Sequence, residues 1–107
     1  MKAGRELDAL VAEKLMGWNL QAEPYTCWNL PNGDQRIYTP NYSTDIAAAW
    51  VVVEKMRGPD FRLNKDGDWV CCFGGTIAFC GEGDTAPLAV CLAALKSVGV
   101  AIEGETR

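Results

Sequence analysis

The sequence predicts a single α+β domain, and three observations lead to this expectation. Three segments carry apolar residues at helical spacing. Between the second and third of them lie short apolar runs separated by glycine-containing turns. With 107 residues, 49% of them hydrophobic, the chain has room for one core. We therefore expect one domain over residues 1–107, with 102–107 as a solvated tail.

The first predicted helix covers residues 5–16 and ends at Gly17. Its polar residues, Asp8 among them, fall away from a stripe whose members recur three and four positions apart. This stripe consists of Leu7, Leu10, Val11, Leu15 and Trp18.

The second predicted helix covers residues 44–57, with Ser43 as its N-cap. Val51 and Val52 add apolar side chains outside the main stripe, so the helix either packs on two sides or contacts a partner chain. The stripe itself consists of Ile46, Ala49, Trp50, Val53 and Met56, and it predicts a core position for Trp50.

The third predicted helix covers residues 86–98, with Asp84 or Thr85 as its cap and Pro87 in its first turn. Just before it, the glycine-containing segment 81–85 is expected to form a turn and a cap. It lacks the spacing of a phosphate-binding loop.

The apolar runs and turn signals in residues 61–80 predict a three-stranded antiparallel meander. Together with the helices, this meander gives an α/β sandwich. The strands are expected at 61–63, 69–73 and 76–80, and Asp-Gly and Gly-Gly pairs mark the turns. Alternate residues of the middle strand are apolar on both faces, so we expect both faces of the sheet to be covered.

Residues 19–42 are less regular, although 25–28 and 36–38 could pair across a turn at 31–34. Aromatic rings and an arginine in this segment could stack a base and neutralise a phosphate. The alternative is that the rings close one end of the core. The candidate ligand-binding residues are Trp28, Arg36, Tyr38 and Tyr42.

The sequence contains no histidine, which removes the commonest general base and favours a protein that is not an enzyme. We expect neither a cofactor nor a metal. Cys71 and Cys72 point to opposite faces of a strand and cannot readily share one zinc. The acidic residues around 66–68 and 82–84 are typical of solvated turns. The five cysteines are expected to be reduced.

The net charge of −4 argues against non-specific binding to nucleic acid or to anionic membranes. No signal peptide or membrane-spanning run is visible, so a cytoplasmic location is expected.

The chain resembles the phage α-β-α (ABA) sandwich domain family, small phage and prophage proteins of unassigned function. The likeness rests on residues 7–18, on 42–50 with 53–56, and on 85–96. It implies a phage origin and an α/β sandwich, and it supplies no catalytic residues.

This resemblance favours a small phage accessory protein in the host cytoplasm that acts by non-catalytic binding. Its target would be a nucleotide signal of host immunity or a host defence protein. The second helix suggests a homo-oligomer. The alternative is a structural or assembly protein of the phage particle.

Overall fold

The computed structural model describes residues 2–23, 25–56, 61–74 and 79–100. Within them the chain forms three helices, namely α1 (Arg5–Lys14), α2 (Ile46–Lys55) and α3 (Ala86–Ser97). One antiparallel sheet consists of β1 (Asn19–Gln21), β2 (Cys27–Asn29) and β3 (Gln35–Arg36). The other consists of β4 (Phe61–Asp66), β5 (Asp68–Phe73) and β6 (Phe79–Gly83). The predicted α+β class and the meander are confirmed, and the predicted tail lies outside the described residues.

Helix α3 is the centre of the molecule. All nine residues from Pro87 to Leu95 are buried, because α3 packs on β5 and β6 on one side and contacts α1 and α2 on others. Apolar residues at helical spacing predict burial along one side of this helix, whereas residues on every side of it are buried. Its alanines permit this, since short side chains let neighbouring elements approach closely. The described helices include none long and apolar enough to cross a lipid bilayer.

Strand β6 corrects the predicted third strand of the meander. It runs through Gly81 to Gly83, where a turn and a cap were expected, and residues 75–78 lie outside the description. Gly81 lies directly against α3, where an added Cβ would be 2.5 Å from the backbone nitrogen of Ala93. Glycine is therefore required by packing rather than by a turn. Thr85 caps α3 as expected, accepting a hydrogen bond from the Leu88 N–H at 3.4 Å.

The disulfide between Cys72 and Cys80 corrects the expectation that every cysteine is reduced. These residues lie directly opposite each other on β5 and β6, with their Cα atoms 4.1 Å apart. Cys71 faces α3 and is fully buried, whereas Val70 and Cys72 on the other face of β5 are only half-buried. The face of β5 that carries Val70 and Cys72 is therefore covered only in part.

Helix α2 is rotated relative to its predicted stripe. It buries Ala49, Val52 and Val53, whereas Trp50 is 48% exposed and was wrongly expected in the core. The indole of Trp50 instead packs edge-to-face on Phe61, with ring centroids 5.9 Å apart. Small and β-branched residues on the buried side allow α2 to lie close to α3, and a tryptophan there would not.

The N-cap of α2 is also different from the prediction. Asp45 takes this place, and its Oδ1 accepts a hydrogen bond from the Ala47 N–H at 3.0 Å. Ser43 is fully buried two residues earlier, where it bonds to α1 instead. A carboxylate next to the first turn is as suitable for the helix dipole as a serine.

The first sheet confirms the predicted pairing in the irregular segment, with shorter strands. Trp28 lies opposite Arg36 across a turn in which the Leu30 N–H donates to the Asp34 carbonyl at 2.8 Å. Strand β1 was not predicted, since only Leu20 in it is apolar and that side chain is 60% exposed. The sheet places the chain that follows β3 against the beginning of α1.

Candidate functional site

The candidate site is a cleft of about 390 Å³ between the first turns of α1 and the segment that follows β3. Its size is within the range of small-molecule sites, roughly 300–1,000 Å³. The residues that line it are Arg5, Asp8, Ile37, Tyr38, Thr39 and Asn41.

A buried carboxylate stands at the α1 side of the cleft. Asp8 is 4% exposed, and its Oδ1 accepts hydrogen bonds from the Ser43 backbone N–H at 2.8 Å and the Ser43 hydroxyl at 2.6 Å. The Ser43 Oγ in turn accepts a bond from the Gly4 N–H at 3.0 Å. Hydrogen bonds to an ionised acceptor are the strong ones, so this network holds α1 to the chain entering α2.

The opposite side of the cleft is exposed and partly apolar. Tyr38 is 84% exposed and Ile37 is 69% exposed. Thr39 is fixed to the core, because its Oγ1 accepts a hydrogen bond of 2.8 Å from the Trp28 indole N–H. A threonine hydroxyl that accepts one bond keeps its own hydrogen available to a ligand.

Two of the four predicted ligand-binding residues lie in the core. Trp28 and Tyr42 are 4% and 2% exposed, and both pack edge-to-face against Trp18. The ring centroids are 6.1 and 6.5 Å from that of Trp18. These rings close one end of the core, which was the alternative interpretation, and Trp28 contacts the cleft through its bond to Thr39.

The other two predicted residues are exposed and are not brought together. Arg36 lies on β3, where its Nη1 donates to the Gln35 carbonyl at 3.0 Å and its Nη2 is 3.7 Å from the Asp34 carboxylate. Tyr38 lines the cleft, whereas Arg36 is not among the lining residues.

Sequence reasoning missed Arg5, Asp8 and Asn41. The first two looked like the polar side of an amphipathic helix, and helical spacing cannot tell an exposed polar residue from a buried one.

The buried cysteines Cys71 and Cys91 are poor nucleophiles. Burial raises the pKa of Cys71 to about 12. It raises the pKa of Cys91 to about 12 as well, with smaller contributions from the charges of Asp8 and Cys71. Because the thiolate is the reactive form, both thiols are inert at neutral pH.

The described residues contain no group of three or more cysteine, aspartate or glutamate side chains that could hold a metal ion. Cys71 and Cys72 face opposite sides of β5, and Cys72 is bonded to Cys80. The geometry of this strand therefore agrees with the sequence argument against a shared zinc.

Comparison with known proteins shows the family of this chain and a solved structure with a similar fold. The model of the Phage ABA sandwich domain matches residues 9–95. A phage protein from Bacillus cereus ATCC 14579, solved by crystallography at 2.0 Å, is 26% identical with a TM-score of 0.76. The match covers 96% of this chain and 95% of that one. None of the curated proteins matches the chain.

Proposed function

Because the chain belongs to the Phage ABA sandwich domain family, we propose that it is a small phage accessory protein that binds its target without catalysis. Its place of action is the cytoplasm of the host cell. The target is a small nucleotide of the kind used as a signal in host defence, held in the cleft between α1 and the segment after β3.

The cleft carries the groups that a nucleotide requires. The exposed ring of Tyr38 offers a surface on which a base can stack, and Ile37 extends that surface. Arg5 offers a guanidinium to a phosphate, and a guanidinium can bind two phosphate oxygens at once. Asp8 and Asn41 can accept hydrogen bonds from ribose hydroxyls or a base. The single observation that carries the proposal is this meeting of an arginine and an exposed aromatic ring in one cleft.

Non-catalytic action is supported by the side chains available. The sequence has no histidine, and Cys71 and Cys91 are buried thiols whose pKa values are raised to about 12. A hydrolytic mechanism commonly needs a base poised near neutral pH. Capture of a ligand needs only complementary polar groups and an apolar surface.

The test is retention of a nucleotide by the purified protein. The protein is incubated with cyclic dinucleotides and with ADP-ribose derivatives, separated by gel filtration, and the bound fraction is measured together with the affinity by calorimetry. Arg5→Ala and Tyr38→Ala should each weaken binding at least about tenfold, since each removes one principal contact. Ligand recovered unchanged would support capture over turnover.

Two matched controls separate the cleft from the rest of the surface. Tyr25→Ala removes an exposed ring between β1 and β2, and Arg62→Ala removes an exposed arginine from β4. Both should bind like the unaltered protein. The proposal fails if no nucleotide of the panel is retained, or if the controls weaken binding as much as the cleft variants. Detection of the protein in purified phage particles would favour the assembly role instead.

A further inference from the structure

Helix α2 presents an apolar surface to solvent. This surface, called here the α2 outer face, consists of Ile46, Ala47, Trp50, Val51 and Glu54. Ile46, Trp50 and Val51 are 50%, 48% and 49% exposed. Phe61 of β4 continues it, because its ring contacts the indole of Trp50. A helix of a monomeric domain normally places polar residues on this side.

Large contiguous apolar patches on a protein surface are typical of sites that contact a partner. Single exposed apolar residues are common, but here three large ones are adjacent on successive turns of one helix. The sequence left open whether α2 packs on two sides or contacts a partner chain. The described residues bury one side of α2, that of Ala49, Val52 and Val53.

The charges on α2 indicate the direction in which a partner helix would run. Glu54 lies in the last turn, where the helix dipole disfavours a carboxylate, and the first turn contains no acidic residue. If a second α2 lay antiparallel across the outer face with its centre at Trp50, Glu54 would lie beside the partner's Ile46, the first residue of the opposite helix. A parallel pair would place like charges together.

We propose that the α2 outer face binds the same face of a second copy of this chain, with the two α2 helices antiparallel about a two-fold axis near Trp50. The same surface patch then meets itself across the two-fold axis, with apolar residues against apolar residues and a carboxylate against a helix N-terminus, as an isologous interface requires. Apolar residues lie at its centre, and the Glu54 carboxylate of each copy meets the positive end of the other helix's dipole. This inference does not depend on the proposed nucleotide ligand.

The experiment is the molar mass in solution, measured by light scattering and by sedimentation equilibrium over a range of concentrations. The unaltered chain should give twice its monomer mass of 11.6 kDa. Val51→Lys places a charge in the apolar centre and should give a monomer. Lysine is a better helix former than valine, and Val51 is half exposed, so the fold should be retained. Circular dichroism verifies this.

Glu54→Lys tests the direction of the pair. It should raise the dissociation constant of the dimer about tenfold, because two carboxylates that favour the opposing helix N-termini become two repelled ammonium groups. Glu13→Lys is the matched control, since Glu13 and Lys14 occupy the end of α1 as Glu54 and Lys55 occupy the end of α2. It should leave the dimer intact.

A monomer at every concentration would overturn the proposal, and so would a dimer that is unaffected by Val51→Lys. A dimer weakened by Val51→Lys but not by Glu54→Lys would overturn the antiparallel direction. Because α2 lines no part of the cleft, Val51→Lys should still bind nucleotide if the proposed function is correct. The two proposals can therefore fail separately.

Discussion

At the scale of single residues, burial has its clearest chemical effect on three groups around α3. The pKa of Cys71 and that of Cys91 rise from 9.0 to about 12, and the pKa of Tyr42 rises from 10.0 to about 12. Desolvation is the largest cause for all three, and the charge of Asp8 contributes for Cys91 and Tyr42. Each group is thus held in its neutral form by the fold.

We predict that the protein loses stability as the pH rises from 9 towards 12. In that window the unfolded chain has released these protons while the folded chain keeps them, so the free energy of unfolding falls with increasing pH. Below pH 9 the contribution is fully present. The measurement is the urea midpoint at pH 8, 9, 10 and 11.

The variant Cys91→Ala provides the control for this pH dependence. This variant lacks the Cys91 thiol, one of the three groups whose pKa is raised. Its free energy of unfolding should therefore fall less steeply between pH 9 and 11 than that of the unaltered protein. Ionisation of lysines affects both proteins alike. Equal slopes in the two proteins would contradict the assignment of the effect to Cys91.

At the scale of elements, the packing of β6 on α3 depends on a residue without a side chain. An added Cβ at Gly81 would lie 2.5 Å from the Ala93 backbone nitrogen and 2.8 Å from the Leu92 Cβ. Neither atom can move without shifting the helix. The closeness of strand and helix is therefore set by Gly81 on one side and by the small Ala93 on the other.

We predict that Gly81→Ala destabilises the protein by about 1–3 kcal/mol, the usual cost of overpacking a core. Urea unfolding followed by circular dichroism measures the change. The matched variant is Gly83→Ala, whose added Cβ has three side-chain atoms of Leu88 as its nearest neighbours, with Cγ at 2.7 Å, Cδ2 at 2.9 Å and Cβ at 3.0 Å. A side chain can repack, so the loss should be smaller. An equal or larger loss for Gly83→Ala would show that backbone contact is not the cause.

The elements differ in how far the sequence could predict them. All three helices follow from apolar spacing, because that spacing reflects burial on one side of a helix. The side of α2 that faces the core does not follow from this spacing, since residues 46–53 are all apolar and several different stripes fit them equally well. Only the contact with α3 selects the side of Ala49 and Val52. Strand β1 has one apolar residue, which is too little for a pattern.

The candidate site was less predictable than the fold. The aromatic residues of 18–42 were recognised, but their number alone does not say which rings point inward. Trp18, Trp28 and Tyr42 pack together, and Tyr38 remains for the cleft. Arg5 and Asp8 lie 33 and 30 positions before Tyr38 in the sequence. Only the tertiary fold brings them to one cleft.

At the scale of the whole molecule, α3 packs against the second sheet and the other two helices and so holds them together. The first sheet is attached by fewer buried residues. Its strands are two or three residues long, and its buried residues are Cys27 and Trp28, of which Trp28 packs against Trp18. The second sheet has strands of five or six residues and a disulfide between β5 and β6. Short strands with little buried surface open at lower free energy than a packed core.

We predict that the first sheet opens in the native state while α3 and the second sheet stay folded. In hydrogen exchange under native conditions, backbone amides of β2 should be at least about tenfold less protected than those of Cys71 on β5 and Leu92 on α3. The latter two should exchange only through global unfolding, recognised by a strong dependence on low concentrations of urea. Mass spectrometry of peptic fragments separates the three elements.

The same opening should affect the cleft, because Thr39 is held by the indole of Trp28. Trp28→Phe keeps an aromatic ring but removes the N–H that donates to Thr39, and we expect it to lower protection in β2 and in the segment after β3. Trp69→Phe, a matched change on β5, should leave the hydrogen-exchange protection of both segments unchanged.

Bound nucleotide would raise the hydrogen-exchange protection of the first sheet alone, since a ligand that contacts Tyr38 and Arg5 stabilises only the closed form. Equal protection of both sheets without ligand would instead mean that the molecule opens as a single unit, and that the cleft is as rigid as the core.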